Sequence, residues 1–147
     1  MDRNTLEKKE ILVIGGLGFI GSNIVQKLVS RKAKVTIFDA CLDPYGWNFA
    51  NIAEVKDQVA FVKGDTRDLE AVKAAVVGKA AVVDCAAQVS HTISVKNPFL
   101  DLDINCRGAL NICEALREKN DSAKLVYAGT RGEIGKMVFN PITEDHP

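Results

Sequence analysis

The chain lacks most of what would tie it to a metal, a membrane or a nucleic acid. Its 147 residues include only two histidines, His91 and His146, and four cysteines with no C-x-x-C pair among them. Metal-ligand spacing is therefore missing, and a disulfide scaffold is not expected at this size and composition. Cys106 and Cys113 stand two helical turns apart, which predicts that both pack as small hydrophobes, as Cys41 and Cys85 also would. Nineteen Lys and Arg cancel nineteen Asp and Glu, so no global field draws the chain to nucleic acid or an anionic membrane. The longest apolar stretches, 11–21 and 80–89, are too short or too interrupted to span a bilayer. The opening MDRNTLEKKE is polar and has no apolar core, unlike a secretory signal, so a cytoplasmic location is expected. The pattern G-x-x-x-x-G-K-[ST] is also absent, which disfavours a nucleoside triphosphate loop.

What remains is a composition 47% hydrophobic and 26% charged, ordinary for a globular protein. The length suits one domain over residues 1–147. EILVI (10–14) reads as a short buried strand, and KVTIF (34–38, ending at Asp39), VAFVKGD (59–65), KAAVVDCAA (79–87) and AKLVYAG (123–129) read as four further strands. Between them the period changes to that of helices. From Phe19 onward, Phe19, Ile20, Ile24, Val25, Leu28 and Val29 share one face. Residues 67–78 form a helix with Leu69, Val72 and Val76 inward, closed by Gly78. Residues 98–119 form a single long helix that buries Leu102, Ala109, Leu110, Ile112, Cys113 and Leu116. A short helix is predicted near 48–55, and His91 falls in the loop after the fourth strand. Such alternation predicts an α/β domain, a doubly wound parallel sheet of about five strands with helices on both faces. In that architecture ligands bind beyond the carboxyl ends of the strands.

There the sequence turns unusual. ILVIGGLGFIGSN crowds Gly15, Gly16, Gly18 and Gly21 into the first strand-to-helix turn and matches G-x-G-x-x-G from Gly16. In this context one glycine permits the tight turn and Gly18 lets a pyrophosphate reach the backbone. Gly21 lets the helix pack close to the sheet. The helix start then offers free amides and a positive dipole end to phosphate. Asp39, eighteen residues after Gly21, ends the second strand where an acidic residue bonds the adenosine ribose. A carboxylate there accepts from a free 2′-hydroxyl and repels a 2′-phosphate, so the cofactor expected is NAD rather than NADP. Lys63 and Arg67 are the cations on the neighbouring strand end that could oppose this preference.

These motifs, in this order, resemble the extended short-chain dehydrogenase/reductase family, specifically its NAD-dependent nucleotide-sugar epimerases and dehydratases with a Rossmann cofactor domain. The resemblance runs from GGLGFIGSN to PITEDHP. It implies that Gly15, Gly18, Phe19, Ile20 and Gly21 surround the pyrophosphate and that Asp39 holds the ribose. It places Asp65, with Thr66 beside it, at the adenine amino group. Ala86, Ala87 and Gln88 would pass beneath the cofactor, in a neighbourhood fixed by Asn105. Thr130 corresponds to the family's Ser or Thr that hydrogen-bonds the sugar hydroxyl being oxidised, which makes it the catalytic candidate. No metal is implied.

Two departures bear on function. Where the 4,6-dehydratases have an Asp-Glu pair after the threonine, this chain has Arg131 and Gly132, with Glu133 one residue out of step. That tilts the reading from dehydration to epimerisation of a nucleotide-sugar substrate. The family's Tyr-x-x-x-Lys pair is also missing, since Tyr45 and Tyr127 are followed four residues on by Phe49 and Arg131. The expectation is therefore an N-terminal cofactor-binding part, truncated before the catalytic helix and the substrate domain and inactive alone. The alternatives are a 4,6-dehydratase or reductase of the same family and a non-catalytic, dinucleotide-sensing regulator. Family members usually dimerise through cofactor-domain helices, so a homodimer through the helix from Pro98 is expected.

Overall fold

The apolar run Glu10–Ile14 forms β1, and its burial on both faces organises everything else. A computed structural model describes residues 6–146, in which the strands form one parallel sheet of order β3-β2-β1-β4-β5. The flanking strands are β2 (Lys34–Asp39), β3 (Val59–Lys63), β4 (Ala81–Asp84) and β5 (Lys124–Tyr127). Ile14 lies opposite both Phe38 and Asp84, and Asp84 opposite Tyr127, so the carboxyl ends of the strands line one edge.

Strand pleating sends alternate side chains to opposite faces, and β1 supplies both cores. Ile11 and Val13 join Val35 and Ile37 beneath α1 (Phe19–Ser30), with Val25 of that helix fully buried. Leu12 and Ile14 join Val82 on the other face, under α2 (Leu69–Val76) and α5 (Gly108–Lys119). The order places β1 between β2 and β4, whose connections depart to opposite faces. A crevice therefore opens beyond β1 at the strands' carboxyl ends. The outer strand β5 is exposed along its whole length, with Leu125, Val126 and Tyr127 uncovered.

The structure corrects several details of the sequence reading. Phe19 and Ile20 are not on the buried face: they are 84% and 58% exposed, because the first turn of α1 overhangs the sheet edge. The segment near 48–55 is two 3-10 turns, Phe49–Ile52 and Lys56–Gln58. His91 opens a helix, α3 (His91–Lys96), whose start Ser90 caps by accepting from the Ile93 amide. The expected single helix over 98–119 is α4 (Pro98–Leu102), a π-helical turn (Asp103–Arg107) and then α5. The wide turn shifts the helical register, so burial falls on Ile104, Gly108, Ile112, Ala115 and Leu116. Leu102, Cys106, Leu110 and Cys113 consequently face outward, and the two cysteines are exposed rather than packed. Among the described residues no helix is long and apolar enough to cross a membrane.

Leu12, fully buried at the centre of the sheet, sets the scale of the core. Leu12→Ala is expected to cost about 2–5 kcal/mol, read as a lower urea midpoint at unchanged slope.

Candidate functional site

The glycines of the first turn divide by what surrounds them. Gly15 has φ +71°, and a Cβ there would lie 2.8 Å from the backbone of Cys85 and Ala86. A Cβ at Gly16 would meet the Ile37 side chain at 2.8 Å, and one at Gly21 would run into the Gly15 carbonyl. Internal contacts thus account for these three. Gly18 differs: its φ of −75° suits any residue, and the nearest atom to a Cβ would be the Gly15 oxygen at 3.4 Å. It sits at the start of α1, facing a cleft. That helix has no side-chain cap, whereas Asp68, Ser90 and Asn97 cap α2, α3 and α4. First-turn amides of α1 are thereby left for an outside acceptor.

The cleft beside Gly15 and Gly18 runs between the ends of β1, β2 and β4 and is open to solvent on one side. Asp39, Asp65, Thr66, Ala86 and Ala87 line it. Asp39 is buried, and each of its oxygens accepts one backbone amide, Leu17 at 3.0 Å and Cys41 at 2.9 Å. A second lone pair on each oxygen remains for a ligand hydroxyl. Asp65 is clamped by Arg67, which donates through its backbone amide at 2.9 Å and through both Nε and Nη2. That guanidinium holds the Asp65 carboxyl below its ordinary range. Thr66 is buried, and its carbonyl accepts from Asn111 at 2.8 Å. The loop after β2 adds Tyr45 and Trp47, the only tryptophan in the chain. Neither was named from sequence as a residue lining the site.

A second cleft adjoins it along the ends of β4 and β5. Ile20, Gln88, Asn105 and Thr130 line it together with Tyr127 and His91, and Cys85 and Ala87 border both clefts. Of the cofactor and catalytic candidates named from sequence, only Phe19 and Gly21 line neither. Asn105 grips the Gln88 backbone from both sides, accepting from its amide at 2.8 Å and donating to its carbonyl at 3.0 Å. Thr130 accepts from the Gly132 amide at 3.2 Å, and the Glu133 carboxylate accepts from the Thr130 amide at 3.0 Å. Burial first, then the nearby Asp84 and Glu133 charges, raise the Tyr127 phenol. Among the described residues no cluster of three or more His, Cys, Asp or Glu is arranged to hold a metal ion.

Asp84, at the end of β4, was not singled out from sequence. Burial pushes its carboxyl up to about 6, against the opposing effect of the Ala86 amide that donates to it at 3.0 Å. The folded state therefore holds this proton more tightly than the unfolded chain. Its contribution is fully present below the unfolded value near 4 and lost as pH rises through 6. Asp84→Asn keeps the acceptor for Ala86 without the charge. It is expected to be more stable than the unaltered chain by about 2–3 kcal/mol above pH 7, with the gap closing below pH 4 in urea titrations.

Comparison with known proteins gives the same picture. The model of the NAD dependent epimerase/dehydratase family matches residues 11–147. A Methanocaldococcus jannaschii protein whose name infers UDP-glucose 4-epimerase activity is 37% identical over 139 residues, 93% of this chain and 43% of that relative. A dTDP-glucose 4,6-dehydratase of Mycobacterium tuberculosis is 37% identical over 109 residues, covering 73% of this chain and 32% of that one. The crystal structure of a Thermus thermophilus UDP-glucose 4-epimerase in complex with NAD superposes with a TM-score of 0.78 at 35% identity. It covers 94% of this chain and 43% of the other. The chain thus spans less than half the length of the relatives it matches. With its parallel sheet, glycine turn and paired clefts, the chain belongs to the NAD-dependent epimerase/dehydratase family.

Proposed function

We propose that the chain is the N-terminal, NAD-binding part of a nucleotide-sugar epimerase that transiently oxidises a sugar hydroxyl. The observation that carries this reading is Gly18. Neither its backbone angles nor its neighbours require glycine, yet it faces the cleft at the uncapped start of α1. A ligand approaching the backbone closely, as a pyrophosphate does, gives the missing reason.

In this reading the adenosine half occupies the first cleft. Asp39 accepts from the ribose, Asp65 and Thr66 border the adenine, and Ala86 and Ala87 pass beneath. The pyrophosphate lies against Gly15, Gly18 and the amides of Phe19 and Ile20, with Gly21 keeping α1 close. The nicotinamide end enters the second cleft beside Gln88, Asn105 and Thr130. Arg67, which could have countered a 2′-phosphate, is committed to Asp65, which supports NAD over NADP. When bound, NAD supplies the two-electron acceptor for the sugar hydroxyl. The Thr130 oxygen accepts from Gly132 and keeps its own proton to donate to that sugar oxygen. Glu133 is held on the Thr130 amide, which favours epimerisation over an elimination needing a free acid and base. A cytoplasmic location and a place in carbohydrate metabolism belong to the same reading.

A homodimer is the second part of the proposal. Leu102, Cys106, Leu110 and Cys113 form an exposed, largely apolar stripe on the outer face of the 98–119 segment. The charges flanking this stripe are paired along the chain, Asp103 with Arg107 and Glu114 with Arg117, so two stripes packed antiparallel about Leu110 would meet through apolar side chains. Leu110→Lys is expected to turn a dimer into a monomer in sedimentation equilibrium, and an unchanged mass would remove this interface.

Trp47 fluorescence reports on ligand in the first cleft. Gly18→Ala is expected to alter stability by less than about 0.5 kcal/mol while weakening NAD binding at least about tenfold. NADP should bind more weakly than NAD. Equal NAD affinity in Gly18→Ala would overturn the cofactor placement. In a full-length enzyme carrying this domain, interconversion of two sugar epimers without net NADH supports epimerisation, whereas water loss from the sugar would replace it with dehydration.

A further inference from the structure

We infer that Asp101 is a positioning residue that orients residues 88–90, which line the second cleft together with Thr130. The inference rests on the NAD reading above and names a residue that reading does not use. Asp101 lies in α4, one helical turn before Asn105. A single oxygen, Oδ1, accepts from two side-chain amides, Gln88 Nε2 at 2.7 Å and Asn105 Nδ2 at 3.2 Å.

A carboxamide presents nearly the same shape in either of its two orientations, so its neighbours must select one. An ionised carboxylate only accepts, and both NH₂ groups therefore turn toward Asp101. The consequences propagate through the backbone. Gln88 Oε1 is left to accept from the Ser90 amide while its Nε2 also donates to the Ser90 carbonyl at 3.1 Å. Asn105 closes a similar two-bond ring on the backbone of Gln88 itself. Reversing the Gln88 amide would set its NH₂ against the Ser90 N–H and its oxygen against both Asp101 and the Ser90 carbonyl. Gln88 is buried, so water does not relieve that mismatch. One carboxylate oxygen thus fixes two amides, and the two amides fix consecutive stretches of the loop.

Residues 88–90 border the nicotinamide end of the site and not the adenosine cleft beside Trp47, whereas Ala87 borders both. That separation gives the test. Affinities for NAD and for AMP, which carries only the adenosine half, are measured on the 147-residue chain by Trp47 fluorescence. Asp101→Ala is expected to weaken NAD about tenfold or more and to leave AMP within about twofold. Asp101→Asn keeps an acceptor oxygen and should restore most of the NAD affinity. Gln88→Glu, which places an acceptor where the donor stood, should reproduce the selective loss of NAD. The inference is overturned if Asp101→Ala binds NAD normally, if it loses NAD and AMP equally, or if Asp101→Asn is as defective as Asp101→Ala. An unaltered chain that binds NAD alongside any of those results removes the positioning role alone. An unaltered chain that binds neither ligand overturns the cofactor reading and this inference with it.

Discussion

Helix α1 starts so close to the end of β1 that no side chain fits between them. A Cβ on Gly21 would collide with the Gly15 carbonyl, and one on Gly15 would press on the backbone leaving β4. This approach brings three backbone segments together at the centre of the sheet edge. It aims the uncapped end of α1 at the crevice opened by the divergence of β2 and β4. The burial of β1 on both faces holds the arrangement from below, because any shift of α1 would uncover Ile11 and Val13. The two clefts are the outward side of that one contact.

Four carboxylates surround this edge, and their partners give them different characters. Asp39 accepts two backbone amides and so shapes the turns at Leu17 and Cys41 while facing the first cleft. Asp65 is neutralised by Arg67, which leaves that guanidinium committed beside the first cleft. Asp101 organises side-chain amides rather than a cation. Asp84 has a single backbone donor and no cation, and burial makes it the one carboxyl here that favours its proton. Charge at this site is set by geometry over a few ångströms and is invisible in a net charge of zero.

The strands were legible because each is a short apolar run bounded by glycine or charge, a pattern that marks the buried central β1 and the exposed outer β3 and β5 alike. The glycine turn was legible because steric need leaves a residue-type signature, as did Asp39 and Asp65 at strand ends. The segment from 91 to 119 was the least legible. A periodic reading assumes one register, and the π-helical turn at Asp103–Arg107 breaks it, so Leu110 and Cys113 face solvent instead of the core. Tyr45 and Trp47 had no periodicity to mark them, because a loop places its residues by its own path and not by a repeat.

By itself, then, the sequence determined the alternation of strands and helices, the parallel sheet, the glycine-lined turn and the acidic residue closing β2. Each of these follows from local constraints, which act between neighbours in the chain: apolar runs, turn sterics and the spacing of one motif. Only the tertiary structure decided that Gly18 alone of the four glycines has no internal reason to be glycine. It also decided that Arg67 is tied to Asp65 and that Asp84 is buried without a counter-charge. The same holds for Asp101, whose single oxygen accepts from Gln88 in the loop after β4 as well as from Asn105 one helical turn away. These properties depend on which groups meet across the fold, and hydrogen-bond partners and desolvation exist only once the segments have packed.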